Sequence, residues 1–216
     1  MSGVANKRRS DRQAVRQQII RAADKAFTEK GVRPVRMDDI AAALSISKRT
    51  LYELFRDKET LLLEVMKNHR DEMKHYMEQL ASGADNVLEV LLKFYEHTLQ
   101  GLQATNRAFF EDMKMYPLVR AYIEEVRKEN AAAAIEFYRK GVAQGIFRPE
   151  VNYDIAQAMV CEQMDHLLQS EACLSYSLPE VYETVIFMHM RGISTRRGLE
   201  IMERFVSHEI LNPTAG

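Results

Sequence analysis

Residues 38–55 read DDIAAALSISKRTLYELF, two short segments of helical period separated by three residues. In the first, Ile40, Ala41 and Leu44 fall on one face; in the second, Leu51, Leu54 and Phe55 do the same. Ser45-Ile46-Ser47 interrupts the period, and the Ser47 hydroxyl is placed to cap the second helix by accepting a backbone N–H. Two helices joined by so short a turn have helix-turn-helix spacing. In such a unit the first helix supports the second, whose amino-terminal end can enter the major groove of DNA. That end is Ser47-Lys48-Arg49-Thr50. Lys48 and Arg49 can donate to guanine O6 and N7 or to phosphate, Thr50 can touch a thymine methyl or a phosphate, and none of them suits the inward face.

Working outward, Val15, Ile19, Ala22, Ala23, Ala26 and Phe27 form the stripe of a first helix, which Gly31 ends as a C′ residue. Asp57 is placed to cap a fourth helix from about Lys58 to Leu80. Helical patterns then cover 85–104, 106–115, 117–144, 152–171, 178–191 and 195–211, with breaks at Pro117, Gly145 with Pro149, Leu174 to Ser177, and Gly192-Ile193-Ser194. No alternating run reads as a strand and no fixed-period repeat occurs, so the expected fold is all-α. The divisions fall at 1–57, a three-helix head, and 58–216, a helical remainder.

The composition agrees with a globular chain. Of 216 residues, 46% are apolar and 28% charged, with only 9 Gly and 5 Pro, which excludes collagenous and low-complexity classes. No apolar run reaches membrane-spanning length and the start is polar and basic, so a cytoplasmic protein is expected. Cys161 and Cys173 have no paired spacing and read as reduced core thiols. The net charge of −1 conceals a segregation: residues 1–58 hold fourteen Lys and Arg against seven Asp and Glu, while residues 59–216 hold sixteen against twenty-four. A basic first quarter suits a polyanion; the acidic remainder suits a different task.

Phe27 and Gly31, then Asp39-Ile40-Ala41, Ile46-Ser47-Lys48, Thr50-Leu51-Tyr52, Phe55, Lys58-Glu59 and Leu61 carry a likeness in their order and spacing. On these residues the chain resembles the TetR-type (TetR/AcrR-like) transcriptional regulators. The resemblance implies a homodimer on a dyad-related operator, repression as the sign of control, and a carboxy-terminal domain for ligand binding and dimerisation. It also implies phosphate contacts from Tyr52 and Lys58, roles that fix register without reading sequence. Two positions depart from the family pattern. Ser45 stands where Gly is frequent, at little cost if its φ is negative, and Arg36 stands where Thr often caps the second helix, leaving Asp38 and Asp39 to favour that end. Arg36 is then free to reach phosphate. Lys7-Arg8-Arg9 reads as either a minor-groove arm or a solvated tail.

Residues 85–211 are rich in Met and aromatic side chains, most of them expected as core. His97, Phe110, Met113, Tyr138 and Gln163 are the candidates for lining an effector site, which the residue types suit to a small apolar or aromatic molecule. Glu111 and His166 are weaker polar candidates. Helices 152–171 and 178–191 carry apolar residues on wide arcs, including Ile155, Met159, Val181, Val185, Ile186 and Met188, and are the expected dimer interface. Alternatives are a helix-turn-helix regulator without small-molecule input and a helical-bundle metalloenzyme. The latter needs paired ExxH motifs, of which Glu72 to His75 supplies one. No catalytic residue, cofactor or metal site is therefore expected, and the partners are duplex DNA, an effector and a second copy of the chain.

Overall fold

The computed structural model describes residues 2–167 and 170–209. Among these residues it forms α1 Ser2–Lys30, α2 Met37–Ala43, α3 Lys48–Leu54, α4 Lys58–Gly83, α5 Val87–Ala104, α6 Arg107–Met113, α7 Pro117–Ala143, α8 Tyr153–His166, α9 Ala172–Ser175, α10 Leu178–Ile193 and α11 Arg196–Glu209. The fold is all-α: among the described residues no strand forms, and an antiparallel bridge pairs Phe147 with Ser194. No described helix is long and apolar enough to cross a membrane.

The chain divides into two compact units. One comprises the residues up to Met73 with Ala104–Glu125; the other comprises Lys74–Gln103 with the described residues from Val126 onward. In the first, Ile19, Ala23 and Phe27 of α1 meet Ile40 and Ala41 of α2, Leu51 of α3, Phe55, and Leu61, Leu62 and Val65 of α4. These are the positions that the helical periods turn inward. Each fully buried Leu or Phe stabilises the unit by about 1.5–3 kcal/mol, several times what an exposed ion pair at its rim contributes. Arg16 of α1 pairs with Glu64 of α4 and lies 5.2 Å over the Phe55 ring, tying the outer helices together.

Phe109 of α6 and Val119 of α7 belong to the same core. Gly31 makes this possible. Its φ of +83° ends α1, its N–H donates to the Phe27 carbonyl at 2.9 Å, and a Cβ there would stand 2.9 Å from that of Ala108. Asn106 completes the junction: its N–H donates to the Thr28 carbonyl at 2.7 Å and its Nδ2 to the Glu29 carbonyl at 3.2 Å. As a packing unit, the head thus includes α6, some eighty positions downstream, which no local periodicity announces.

Local expectations hold at most helix ends. Asp57 Oδ1 accepts the Thr60 N–H at 2.8 Å at the start of α4, and Ser177 with Glu180 forms a capping box at the start of α10. Two stretches differ from the reading of the sequence. Lys7-Arg8-Arg9, expected as an arm or a tail, continues α1, whose Ala-, Arg- and Gln-rich sequence favours helix and holds no proline. The helix expected over 152–171 stops at His166, and Ser170 turns the chain by donating its hydroxyl and N–H to the Leu167 carbonyl before α9. Leu168 and Gln169 of that stretch, and the end of the helix expected to reach 211, lie outside the described residues.

The second unit is built on Leu88 and Leu92 of α5, Tyr138 of α7, Ile146, Phe147, and Tyr182, Phe187 and Met190 of α10. Tyr95 stacks on Tyr182 at 6.0 Å and meets the Phe187 ring edge-on at 5.0 Å. Phe147 lies so close against α7 that a Cβ at Gly141 would fall 2.0 Å from its ring.

Candidate nucleic-acid interface

The turn between α2 and α3 is decided by its backbone. Ser45 has φ +53°, the left-handed region, and not the negative value at which serine costs little in place of glycine. The Ile46 N–H donates to the Ala41 carbonyl at 3.0 Å and the Ser45 N–H to that of Ala42 at 3.1 Å. This is a Schellman closure with serine at the C′ position that glycine commonly holds, and the closure is what forces the positive φ. Ser47 then caps α3, its Oγ accepting the Thr50 N–H at 3.0 Å and lying 2.8 Å from the Thr50 hydroxyl. Leu51 and Phe55 are buried, which fixes the roll of α3 and turns Lys48, Arg49 and Tyr52 outward.

The two cations are presented with acidic partners. Lys48 Nζ donates to Asp38 Oδ2 of α2 at 2.6 Å, and Arg49 Nε donates to Glu53 Oε1 one turn along α3 at 2.8 Å. These bonds, more than the accompanying charge attraction, raise both pKa values above their ordinary ranges, so both side chains stay cationic. Tyr52 is 49% exposed on the same helix. Arg36 is exposed just before α2, its backbone N–H held by Asp39 Oδ2 at 3.1 Å, so its side chain is not spent on the cap. The structure therefore brings Ser47, Lys48, Arg49, Thr50 and Tyr52 together on α3 and its cap, with Arg36 at the start of α2.

Lys58 sits differently. Its Nζ donates to the carbonyls of Val32, Arg33 and Val35 at 2.9, 3.1 and 3.0 Å. All three ammonium donors hold the turn between α1 and α2; a phosphate could be bound only by releasing one. Burial draws its pKa below the ordinary lysine value, with the charge of Asp112 opposing. Asp112, buried on α6, accepts the Arg33 N–H at 2.8 Å, so the same turn is held from two sides. The sequence reading missed Asp38 and Glu53 as partners of the cations. The Arg49–Glu53 pair was visible in its i,i+4 spacing, whereas Asp38 lies ten residues from Lys48 with only the turn geometry to join them.

The effector candidates are dispersed. Phe110 and Met113 pack against the core of the first unit, Phe110 edge-on to Phe109 at 5.5 Å. In the second unit His97 is exposed and stacks on Tyr76 at 4.3 Å, and Gln163 is exposed on α8. Glu111 pairs with Arg107 at 2.8 Å, and His166 is exposed. Tyr138 is buried in a polar cluster: its hydroxyl donates to Gln157 Oε1 at 3.1 Å and lies 3.1 Å from His189 Nε2, while its ring stacks on Tyr153 at 4.9 Å. Burial pushes the Tyr138 phenol up to about 12 and the His189 imidazole down. Elsewhere in this unit an open cleft of about 230 Å³ is lined by Asn86, Glu89, Leu92, Ile201, Arg204 and Phe205.

A three-helix head that exposes a cationic α3 tip, set on a core shared by α1, α2 and α4, defines a helix-turn-helix protein that binds DNA. Residues 19–65 match the family described as bacterial regulatory proteins, tetR family, and the protein is a DNA-binding transcriptional regulator with a TetR-type head. It is similar to the transcriptional repressor KstR2 of Mycolicibacterium smegmatis, 23% identical over 150 residues covering 67% of this chain and 73% of that one. It is also similar to the transcriptional activator FasR of the same organism, 32% identical over 117 residues covering 50% and 52%. Among solved structures, the fatty acid degradation regulator FadR from Bacillus halodurans shares the fold with a TM-score of 0.61, 21% identity, and coverage of 81% of this chain and 93% of that one.

Proposed function

We propose that the protein is a cytoplasmic, homodimeric repressor that leaves its operator when it binds a small apolar or aromatic molecule. The observation that carries the DNA half is the α3 tip: Lys48, Arg49 and Thr50 project from a helix whose roll is fixed by buried Leu51 and Phe55. Lys48, Arg49 and Thr50 read base edges, while Arg36, Ser47 and Tyr52 fix register on phosphates. Lys58 serves the same surface by holding the turn that carries Arg36. Specific binding needs two such heads about one helical turn apart, roughly 34–36 Å, which a dimer supplies. Ile155 and Met159 on α8 are 58% and 56% exposed, and Met188 on α10 is 69% exposed, apolar surface that a second copy would cover.

For the effector, Tyr138 with Gln157 and His189 offers the buried polar groups that could orient an apolar molecule. An apolar class accords with the likeness to FadR, a fatty acid degradation regulator. His97, Phe110, Met113 and Gln163 are tested by the same screen, with melting as the control for Phe110 and Met113, which pack in the head core. A regulator without small-molecule input is the second reading, supported by the closed hydrogen bonding of Tyr138 with Gln157 and His189, which leaves the Tyr138 hydroxyl already partnered.

The test selects an operator from a random duplex pool with the full chain, then measures affinity for operator and random duplex. Lys48→Ala and Arg49→Ala are expected to relax sequence preference by roughly 1–3 kcal/mol each. Fatty acids and aromatic molecules that raise the melting temperature are expected to release the operator. Preference unchanged in both alanine variants would refute the docking; stabilising hits that leave DNA affinity unaltered would favour the second reading.

A further inference from the structure

Lys48 and Arg49 are each held by a carboxylate at the solvent-facing surface. Both ion pairs are in solvent, with cation side chains 67% and 88% exposed, a setting in which pairs contribute little to stability. Within α3 the charge order opposes the helix. Cations occupy its first turn and Glu53 its last, where the macrodipole disfavours both, and Arg preceding Glu at i,i+4 is the weaker orientation. At the start of α2, Asp39 already accepts the Arg36 N–H, and Asp38 adds the weaker attraction of a first-turn carboxylate to the helix dipole.

The geometry gives the carboxylates another task. Glu53 engages only Nε of Arg49, leaving the N–H groups of both Nη atoms in the planar fork that fits guanine O6 and N7. Asp38 takes one donor of Lys48 and leaves two. We propose that Asp38 and Glu53 are positioning residues that set discrimination between operator and random DNA, aiming Lys48 and Arg49 at base edges while offsetting their charge toward phosphates. This inference rests on base reading by Lys48 and Arg49. On random duplex the phosphate attraction acts almost alone, and a carboxylate fixed beside each cation weakens it. On the operator the fork meets its base with Glu53 behind it, so the same carboxylate supports the contact. Neutralising it lets the cation swing to the nearest phosphate, which strengthens random binding and loosens the base contact.

The test uses the full chain and the selected operator. Affinities for operator and random duplex are measured at several salt concentrations for wild type, Asp38→Asn, Glu53→Gln and the double variant. The same changes are then made in Lys48→Ala and Arg49→Ala backgrounds. Each single neutralisation is expected to tighten random duplex by roughly two- to fivefold. It should also steepen that salt slope by about one unit, with operator affinity unchanged or lower. The double variant should lose roughly tenfold in the operator-to-random ratio, a difference of about 1.4 kcal/mol. In the alanine background of its own partner, each carboxylate change should leave the ratio unaltered. Equal tightening on both duplexes, which simple loss of repulsion would give, overturns the inference, as does an unchanged ratio. Should Lys48→Ala and Arg49→Ala keep wild-type preference, the base reading itself fails; should they lose it while the neutralised variants keep the wild-type ratio, only the positioning role fails.

Discussion

Replacing Lys58 with Met keeps most of the side-chain stem and removes the ammonium, and the structure makes the consequence a matter of stability. The three bonds from Nζ, at 2.9, 3.1 and 3.0 Å, hold the carbonyls of Val32, Arg33 and Val35. A hydrogen bond to a charged group contributes about 1.5–3 kcal/mol, and because these three share one ammonium and one desolvation cost, the total loss should be about 2–4 kcal/mol. For a chain of this size that is a fall in melting temperature of roughly 5–15 °C. Thermal melting by circular dichroism measures it, and fluorescence polarisation across salt concentrations supplies the second readout. Below the melting range, Lys58→Met should retain the wild-type salt slope, since no donor of this ammonium is free for phosphate. A variant with wild-type melting temperature and a slope reduced by about one unit would refute the reasoning and restore Lys58 to the phosphate role.

Three further outcomes are expected. Ser45→Gly relieves a left-handed residue at φ +53° and should raise stability by about 1 kcal/mol, read as the midpoint of denaturant unfolding; a lowered midpoint would mean that the serine hydroxyl matters more than its backbone. His69 of α4, whose Nε2 lies 2.8 Å from Asp24 Oδ1 of α1, has its pKa raised chiefly by that bond, with burial opposing and the charges of Asp24 and Glu72 adding to it. Its contribution is therefore complete below the unfolded value near 6.5 and is lost as pH rises through the folded value. Wild type should lose more stability than His69→Gln between about pH 6 and pH 8, and parallel curves would contradict this. The variant comparison also removes the opposite trend of His189, whose lowered pKa weakens the fold as pH falls. Finally, Met188→Asp, alone or with Ile155→Asp, should shift sedimentation at micromolar concentration from dimer toward monomer with the helical circular dichroism retained, because both side chains are exposed in the single chain; a persistent dimer would place the interface elsewhere.

By itself, the sequence determined what depends on neighbours three or four residues away. The stripe of Ile19, Ala23 and Phe27, the spacing of α2 and α3, the Ser47 and Asp57 caps and the outward turn of Lys48 and Arg49 follow from helical period and hydroxyl or carboxylate chemistry, which act locally. What only the tertiary structure decided are pairings between residues far apart along the chain. Lys58 has the same charge whether it faces a phosphate or three carbonyls, and only the folded path of residues 32–35 brings the three carbonyls to it. Ser45 was legible as a turn residue, but its positive φ comes from the closure onto Ala41 and Ala42. Phe110 and Met113 were legible as apolar positions, but their packing against the head core comes from Gly31, which admits α6 against α1. Helical period specifies which face of an element is apolar; the partner that covers that face is chosen by shape and by the satisfaction of buried polar groups, neither of which has a period to read.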